Sequence, residues 1–214
     1  MNKTSCWALL AALAIGPLAA QASPITDAQG DFLPTFGGST SSGDLDVLSA
    51  SVNYDPVHDT FILSSRVNGT PGATPGGFYV WGVNRGAGTA GFAANGISGV
   101  LFDRVILVRP DGTGTVNGAG NLAPGSVTIW NDTITAVVPV SLLPSTGFSK
   151  YDYQWNIWPR DGRVAGFAAI SDFAPNNSDF AGAVLPLPSS LALSALGLAV
   201  LGWRQRRSAA PEAV

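Results

Sequence analysis

Residues 48–67 read LSASVNYDPVHDTFILSSRV, and this stretch decides the fold class. From Leu48 to Tyr54 every second residue is apolar or small, which is the period of a half-buried β-strand. The segment 55–59 (DPVHD) is rich in turn-forming residues, and apolar side chains then return at alternate positions from Phe61 to Val67. The stretch therefore predicts a β-hairpin with one buried face.

The same alternation and turn chemistry continue along the body of the chain. Its thirteen acidic residues are all Asp, which favours turns over helices, and no stretch of a dozen residues has a helical period. We therefore predict an all-β fold, a single antiparallel β-sandwich (jelly-roll-like) over residues 23–185. The further predicted strands are residues 78–84, 102–109, 126–130, 133–138, 151–158 and 164–170.

The N-terminus has the features of a secretory signal peptide. Lys3 precedes an apolar stretch that ends near Ala20, and Ala20 and Ala22 are the small residues that a signal peptidase reads. We expect residues 1–22 to be removed, and Cys6, the only cysteine, with them. The mature chain would then contain no thiol, which suits an oxidising compartment.

The C-terminus has the features of a membrane anchor. The 17 residues of 187–203 are all apolar or small, the lower limit for a transmembrane helix, and a docked amphipathic helix is the less favoured alternative. A basic cluster follows, so residues 208–214 are predicted to stay cytoplasmic and the body to lie outside the membrane. The cluster consists of Arg204, Arg206 and Arg207.

Residues 186–207 resemble a PEP-CTERM sorting signal. That signal combines a Pro-Glu-Pro motif, a short membrane helix and terminal arginines; here the motif is Pro186, Leu187 and Pro188, with Leu in place of Glu. The resemblance implies sorting by an exosortase, in bacteria that export polysaccharide and form biofilm. In the body, the segments 27–31 (DAQGD) and 44–46 (DLD) resemble DOMON and family 9 carbohydrate-binding sandwiches.

Four aspartates near the start of the body form a candidate calcium site. Asp44 and Asp46 stand one residue apart at a strand entry, with Asp27 and Asp31 nearby in sequence. Hard oxygen ligands of this kind suit Ca²⁺, which is abundant outside cells. The alternative is that they cap turns and strand ends. A second oxygen-rich loop, residues 172–179, contains two Asp and two Asn.

Aromatic residues suggest a carbohydrate surface. Tyr151, Tyr153 and Trp155 share one face of a predicted strand, Trp158 continues the other face, and an earlier strand repeats the pattern with two more aromatics. Flat aromatic faces beside polar groups suit sugar rings, whereas the alternative is an ordinary core. The two further aromatics are Tyr79 and Trp81.

Composition excludes several function classes. A net charge of −3 argues against a nucleic-acid partner, and a single histidine argues against a catalytic triad or a zinc site. We expect no enzyme and no cofactor other than calcium. The sequence favours a non-catalytic structural or carbohydrate-binding module associated with exopolysaccharide. Its alternatives are an adhesion or self-assembly protein without a sugar site and, least favoured, an Asp-dependent hydrolase.

Overall fold

The computed structural model describes residues 24–186, and they form an all-β body with short 3₁₀ turns, as the sequence predicts. The strands in chain order are β1 Ile25–Thr26, β2 Val47–Asp55, β3 Thr60–Val67, β4 Gly77–Asn84, β5 Arg104–Val108, β6 Gly114–Val116, β7 Gly120–Asn121, β8 Val127–Trp130, β9 Thr133–Pro139, β10 Gln154–Asp161, β11 Phe180–Ala181 and β12 Ala183–Val184.

The strands form two sheets. The first sheet has the order β1-β2-β3-β9-β8, with β12 also paired to β2, and the second has the order β11-β10-β4-β5-β6-β7. Every pairing is antiparallel except that of β12 with β2. The predicted hairpin is β2–β3, with Val52 opposite Leu63, and a second predicted hairpin is β8–β9, whose turn residue Asn131 has a φ of 55°.

The main core lies between the two sheets. Its side chains come from alternate positions of both sheets, including Val52 and Leu63 from the first and Trp81, Ile106 and Trp155 from the second. Each fully buried side chain of this size contributes about 1.5–3 kcal/mol of hydrophobic stabilisation. This continuous apolar cluster holds the two sheets together as a sandwich.

A second, smaller apolar cluster covers the other face of the second sheet. Trp158 of β10 packs there against Phe173 and Phe92, which belong to loops that fold over the sheet. Gly82 of β4 makes room for the Trp158 ring, because a Cβ at position 82 would stand 2.4 Å from Trp158 Cζ3. Strand β4 is therefore buried on both faces, and for this reason its sequence is almost continuously apolar.

Three predicted boundaries in the C-terminal half of the body were wrong. The strand predicted from residue 151 begins at Gln154, because Lys150–Asp152 is a 3₁₀ turn. The predicted turn 159–162 is largely strand, with Pro159 in register with Tyr79. The strand predicted over 164–170 is a 3₁₀ turn, Gly166–Ala169.

The terminal segments lie outside the described residues. They include the predicted signal peptide 1–22 with Ala20 and Ala22, the predicted helix 187–203, the arginine cluster and the tail 208–214. Among residues 24–186, no helix has the length and apolar character needed to cross a membrane.

Candidate metal centre

The segment that follows β1 carries the first two acidic residues of the site. The Asp27 N–H donates to Leu48 O (3.0 Å), which holds the segment against the start of β2. Gly30 turns the chain with a φ of 80°, and its N–H donates to Asp46 Oδ2 (2.8 Å). These two hydrogen bonds hold the segment that carries Asp27 and Asp31 beside Asp46, which immediately precedes β2.

Asp46 has one satisfied and one unsatisfied carboxylate oxygen. Its Oδ2 accepts from Gly30 N–H and from Asn68 Nδ2 (2.9 Å). Its Oδ1 is buried and has no hydrogen-bond partner in the described part of the chain. The residue as a whole is completely shielded from solvent. A buried carboxylate oxygen without a partner is costly unless something else satisfies it.

Asp172 joins the site from the C-terminal half of the body. It lies 125 residues from Val47 in sequence, yet its Oδ2 accepts from Val47 N–H (2.9 Å), and its Oδ1 accepts from Phe173 N–H (2.7 Å). The residue is fully buried. The sequence indicated an oxygen-rich loop here, but only the fold shows that this loop meets the N-terminal aspartates.

Three of these carboxylates converge on one point. Asp27, Asp31 and Asp172 each place an oxygen so that the three atoms lie within 4.8 Å of one another. Asp27 Oδ2 and Asp31 Oδ1 are also buried without a hydrogen-bond partner, as is the Asp46 oxygen described above. Asn176 Nδ2 donates to Asp31 Oδ2 (3.2 Å) at the edge of the group. We call Asp27, Asp31, Asp46 and Asp172 the acidic cluster.

No basic side chain of the described residues pairs with the acidic cluster. Its members take part in none of the ion pairs within residues 24–186, whose acidic partners are Asp55, Asp59, Asp103, Asp132 and Asp161. Burial, reinforced by the neighbouring carboxylates, raises the pKa of Asp27 to about 6 and that of Asp172 to about 8. Burial also raises the pKa of Asp46.

The donor set fits a hard divalent cation. All the converging atoms are carboxylate oxygens, and oxygen ligands around one Ca²⁺ at about 2.4 Å can lie at most about 4.8 Å apart. The observed separation meets this limit. A bound cation would also satisfy the partnerless oxygens and offset the repulsion between the carboxylates.

Asp44, the fourth aspartate in the predicted calcium site, has a different role. Its carboxylate accepts three hydrogen bonds, from Ser42 Oγ (2.6 Å), Thr74 Oγ1 (2.6 Å) and Thr74 N–H (2.9 Å). The sequence predicted that Asp44 and Asp46 lie at the entry of a strand, where their spacing would put them on the same side, but β2 begins only at Val47, so the strand period does not apply. Asp172 takes the place in the cluster that was predicted for Asp44.

The structure corrects the prediction that six aromatic residues form a carbohydrate surface, which we call the sugar platform. Five of its six members are at most 2% exposed, because both faces of the second sheet are covered, and only Tyr151 is exposed, at 53%. Phe61 packs on Trp155 with ring centroids 5.0 Å apart, and Tyr153 donates its hydroxyl to Leu143 O (2.9 Å). The buried members are Tyr79, Trp81, Tyr153, Trp155 and Trp158.

Trp158 lies on the opposite face of β10 from Trp155, as predicted from the alternation. There it forms part of an apolar groove of about 350 Å³ with Phe92, Phe102 and Arg160. The indole itself is only 2% exposed, so Trp158 offers no open face on which a sugar ring could stack.

Comparison with known proteins identifies the C-terminal segment. A family model described as the PEP-CTERM protein-sorting motif matches residues 184–207. The match contains Pro186, which is exposed at the end of the described body; Leu187, Pro188 and the three arginines lie outside the described residues. No curated protein and no solved structure matches the chain. The chain is thus an exported protein that carries a PEP-CTERM sorting motif and is sorted to the cell surface by an exosortase-type enzyme.

Proposed function

We propose that this protein is a non-catalytic structural domain of the cell surface, whose β-sandwich is clamped by one Ca²⁺ ion bound at the acidic cluster. Two observations carry the proposal: one oxygen each of Asp27, Asp31 and Asp172 converge, and three buried oxygens, on Asp27, Asp31 and Asp46, have no hydrogen-bond partner within residues 24–186. Such an arrangement stores unfavourable electrostatic energy in the metal-free state. Calcium binding would release that energy as folding stability.

The position of the acidic cluster explains why a cation would act as a clamp. Asp27 and Asp31 belong to the segment that follows the predicted signal cleavage, Asp46 immediately precedes β2, and Asp172 belongs to the loop after β10. One ion would therefore join the N-terminal part of the body to the loop after β10, which is distant from it in sequence. Cross-links between distant segments restrict the unfolded chain more than the folded one, which favours the folded state.

The proposed role is structural because the acidic cluster is anchored on a buried aspartate. Asp172 is fully buried and engaged by two main-chain N–H groups, so it is not placed to transfer a proton to a substrate. The burial of the predicted sugar platform likewise favours a structural or adhesive role over carbohydrate binding. Export adds a reason for calcium, because extracellular modules bind Ca²⁺ with dissociation constants of about 10⁻⁴–10⁻³ M.

Thermal unfolding with and without calcium tests this proposal. The exported chain, purified in detergent, is melted in EDTA, in 10 mM CaCl₂ and in 10 mM MgCl₂. With the affinities typical of extracellular sites, calcium contributes about 1.4–2.7 kcal/mol, or about 3–10 °C in Tm. Mg²⁺ gives a smaller shift, because it dehydrates reluctantly. Equal melting temperatures in EDTA and CaCl₂ would overturn the proposal.

A further inference from the structure

The first and the last strand of the described body cover one edge of β2. On that edge, β1 pairs with Ser49 and Ala50, and β12 pairs with Asn53 and Tyr54. Each covering strand is only two residues long, whereas β3 pairs along almost the whole of the opposite edge. One of the longest strands in the body is therefore shielded, on this side, only by the two short strands at the ends of the described residues.

The sorting motif begins inside the sheet. The matched segment starts at Val184, which is the last residue of β12, and Leu185 still donates its N–H to Tyr54 O (2.8 Å). Pro186, the first proline of the motif, follows directly. One residue spans at most about 3.6 Å, so no linker separates the body from the peptide that the sorting enzyme reads.

We propose that β12 and Leu185 are part of the segment that the sorting enzyme binds, and that β12 must leave β2 before the tail is processed. Enzymes and receptors that take an extended peptide commonly pair with its main-chain N–H and C=O groups. In the folded body, main-chain groups of β12 and Leu185 are already paired with β2. The same groups cannot serve both partners.

The structure of β12 suits a strand that leaves easily. Val184 is 41% exposed, so little apolar surface holds it in place. A short, exposed terminal strand opens locally far more often than the long central strands do.

A reversible cysteine lock tests the inference in the full-length chain, produced in its own host with its sorting enzyme. Asn53 and Ala183 are register partners, and paired strands lie about 4.8 Å apart, within the Cα range of a disulfide. The pair Asn53→Cys and Ala183→Cys closes the lock, and Cys6, the native thiol, lies in the predicted signal peptide. The control pair Thr128→Cys and Thr135→Cys cross-links β8 to β9 instead.

Tail processing is followed by the change in gel mobility. We expect the oxidised Asn53–Ala183 lock to slow processing at least tenfold, dithiothreitol to restore it, and the oxidised control pair to have no effect. Six Gly/Ser residues inserted after Leu185 span up to about 20 Å and place free main-chain groups next to Pro186, in place of those that β2 holds, so they should restore processing of the locked chain. Normal processing of the locked chain, or failure of the insertion to rescue it, overturns the inference. The result is independent of calcium binding, because the experiment reports on the sorting motif alone.

Discussion

The substitution Asp27→Asn should stabilise the metal-free protein and abolish most of its response to calcium. Asp27 Oδ1 accepts from Ala28 N–H (3.2 Å), and the amide oxygen of Asn can keep that hydrogen bond. The Asn amide nitrogen then replaces Oδ2, the buried oxygen that has no partner in the described region. The change removes one negative charge from the acidic cluster with almost no change in shape.

The size of the effect follows from the pKa of Asp27. Burial, with help from the Asp31 and Asp46 charges, raises this pKa from 3.8 to about 6. At about 1.36 kcal/mol per pKa unit, the ionised carboxylate destabilises the folded state by at most about 3 kcal/mol at neutral pH. Solvent screening at this half-buried site reduces this free energy, and we expect a value between about 1.5 and 3 kcal/mol. In a domain of this size, that corresponds to a Tm increase of about 3–10 °C in EDTA.

In calcium, the wild-type protein gains more stability than the Asp27→Asn variant. Wild-type protein gains stability from 10 mM CaCl₂, whereas Asp27→Asn lacks one of the charged ligands and should gain less than about 1 kcal/mol. Melting curves of both proteins are recorded at pH 7.5. The variant should have the higher Tm in EDTA, whereas in CaCl₂ the two Tm values should be equal or in the reverse order. A variant that is less stable than wild type in EDTA, or one that keeps the full calcium shift, would refute the reasoning.

Three further predictions use the same melting assay. Asp44→Asn should lower Tm equally in EDTA and CaCl₂, at a cost of about 1–3 kcal/mol, because it disturbs the hydrogen bonds from Thr74 and leaves the calcium ligands unchanged. A changed calcium shift in this variant would contradict the role assigned to Asp44. In EDTA, Tm should fall as pH rises from about 5 to 8: the raised pKa values of Asp27 and Asp172 mean that the folded state keeps protons that the unfolded state releases. Calcium should flatten this decline, and a Tm that rises over the same range in EDTA would show that the cluster is not charged as described. Trp155→Ala should destabilise the body by about 3–5 kcal/mol with or without polysaccharide, as expected for a core residue; a folded, fully stable variant would contradict its burial.

The sequence predicted the hairpin β2–β3 because its information is local. One buried face, a turn at residues 55–59 and a matching return strand all lie within twenty residues. The C-terminal boundaries failed for a related reason. In β10 both faces are buried, so apolar residues such as Trp155 and Trp158 stand on either side, and alternation no longer marks where the strand begins or ends.

The acidic cluster was only partly predictable. Asp27, Asp31 and Asp46 are near in sequence, so a shared oxygen site could be expected of them. Asp172 reaches the site through tertiary contacts, its hydrogen bond to Val47 among them, and no local pattern encodes that contact. Asp44 looked like a ligand because of its spacing from Asp46, whereas its hydrogen bonds with residues 42 and 74 depend on how two loops pack.

The aromatic residues show the limit of strand periodicity. Alternation correctly placed Tyr153 and Trp155 on one face, but it does not say whether that face meets solvent or a second sheet. Phe61 of β3 packs on both rings, which is a contact between the two sheets. A sugar platform and a sandwich core therefore have the same sequence pattern, and only the fold separates them.

The most direct test of a calcium-clamped body is the stoichiometry of binding. Isothermal titration of CaCl₂ into chelator-treated protein at pH 7.5 should show one saturable site per chain, and that site should be lost in both Asp27→Asn and Asp46→Asn and kept in Asp44→Asn. Absence of saturable heat up to 10 mM calcium, or a site that survives loss of the Asp27 and Asp46 charges, would contradict the account.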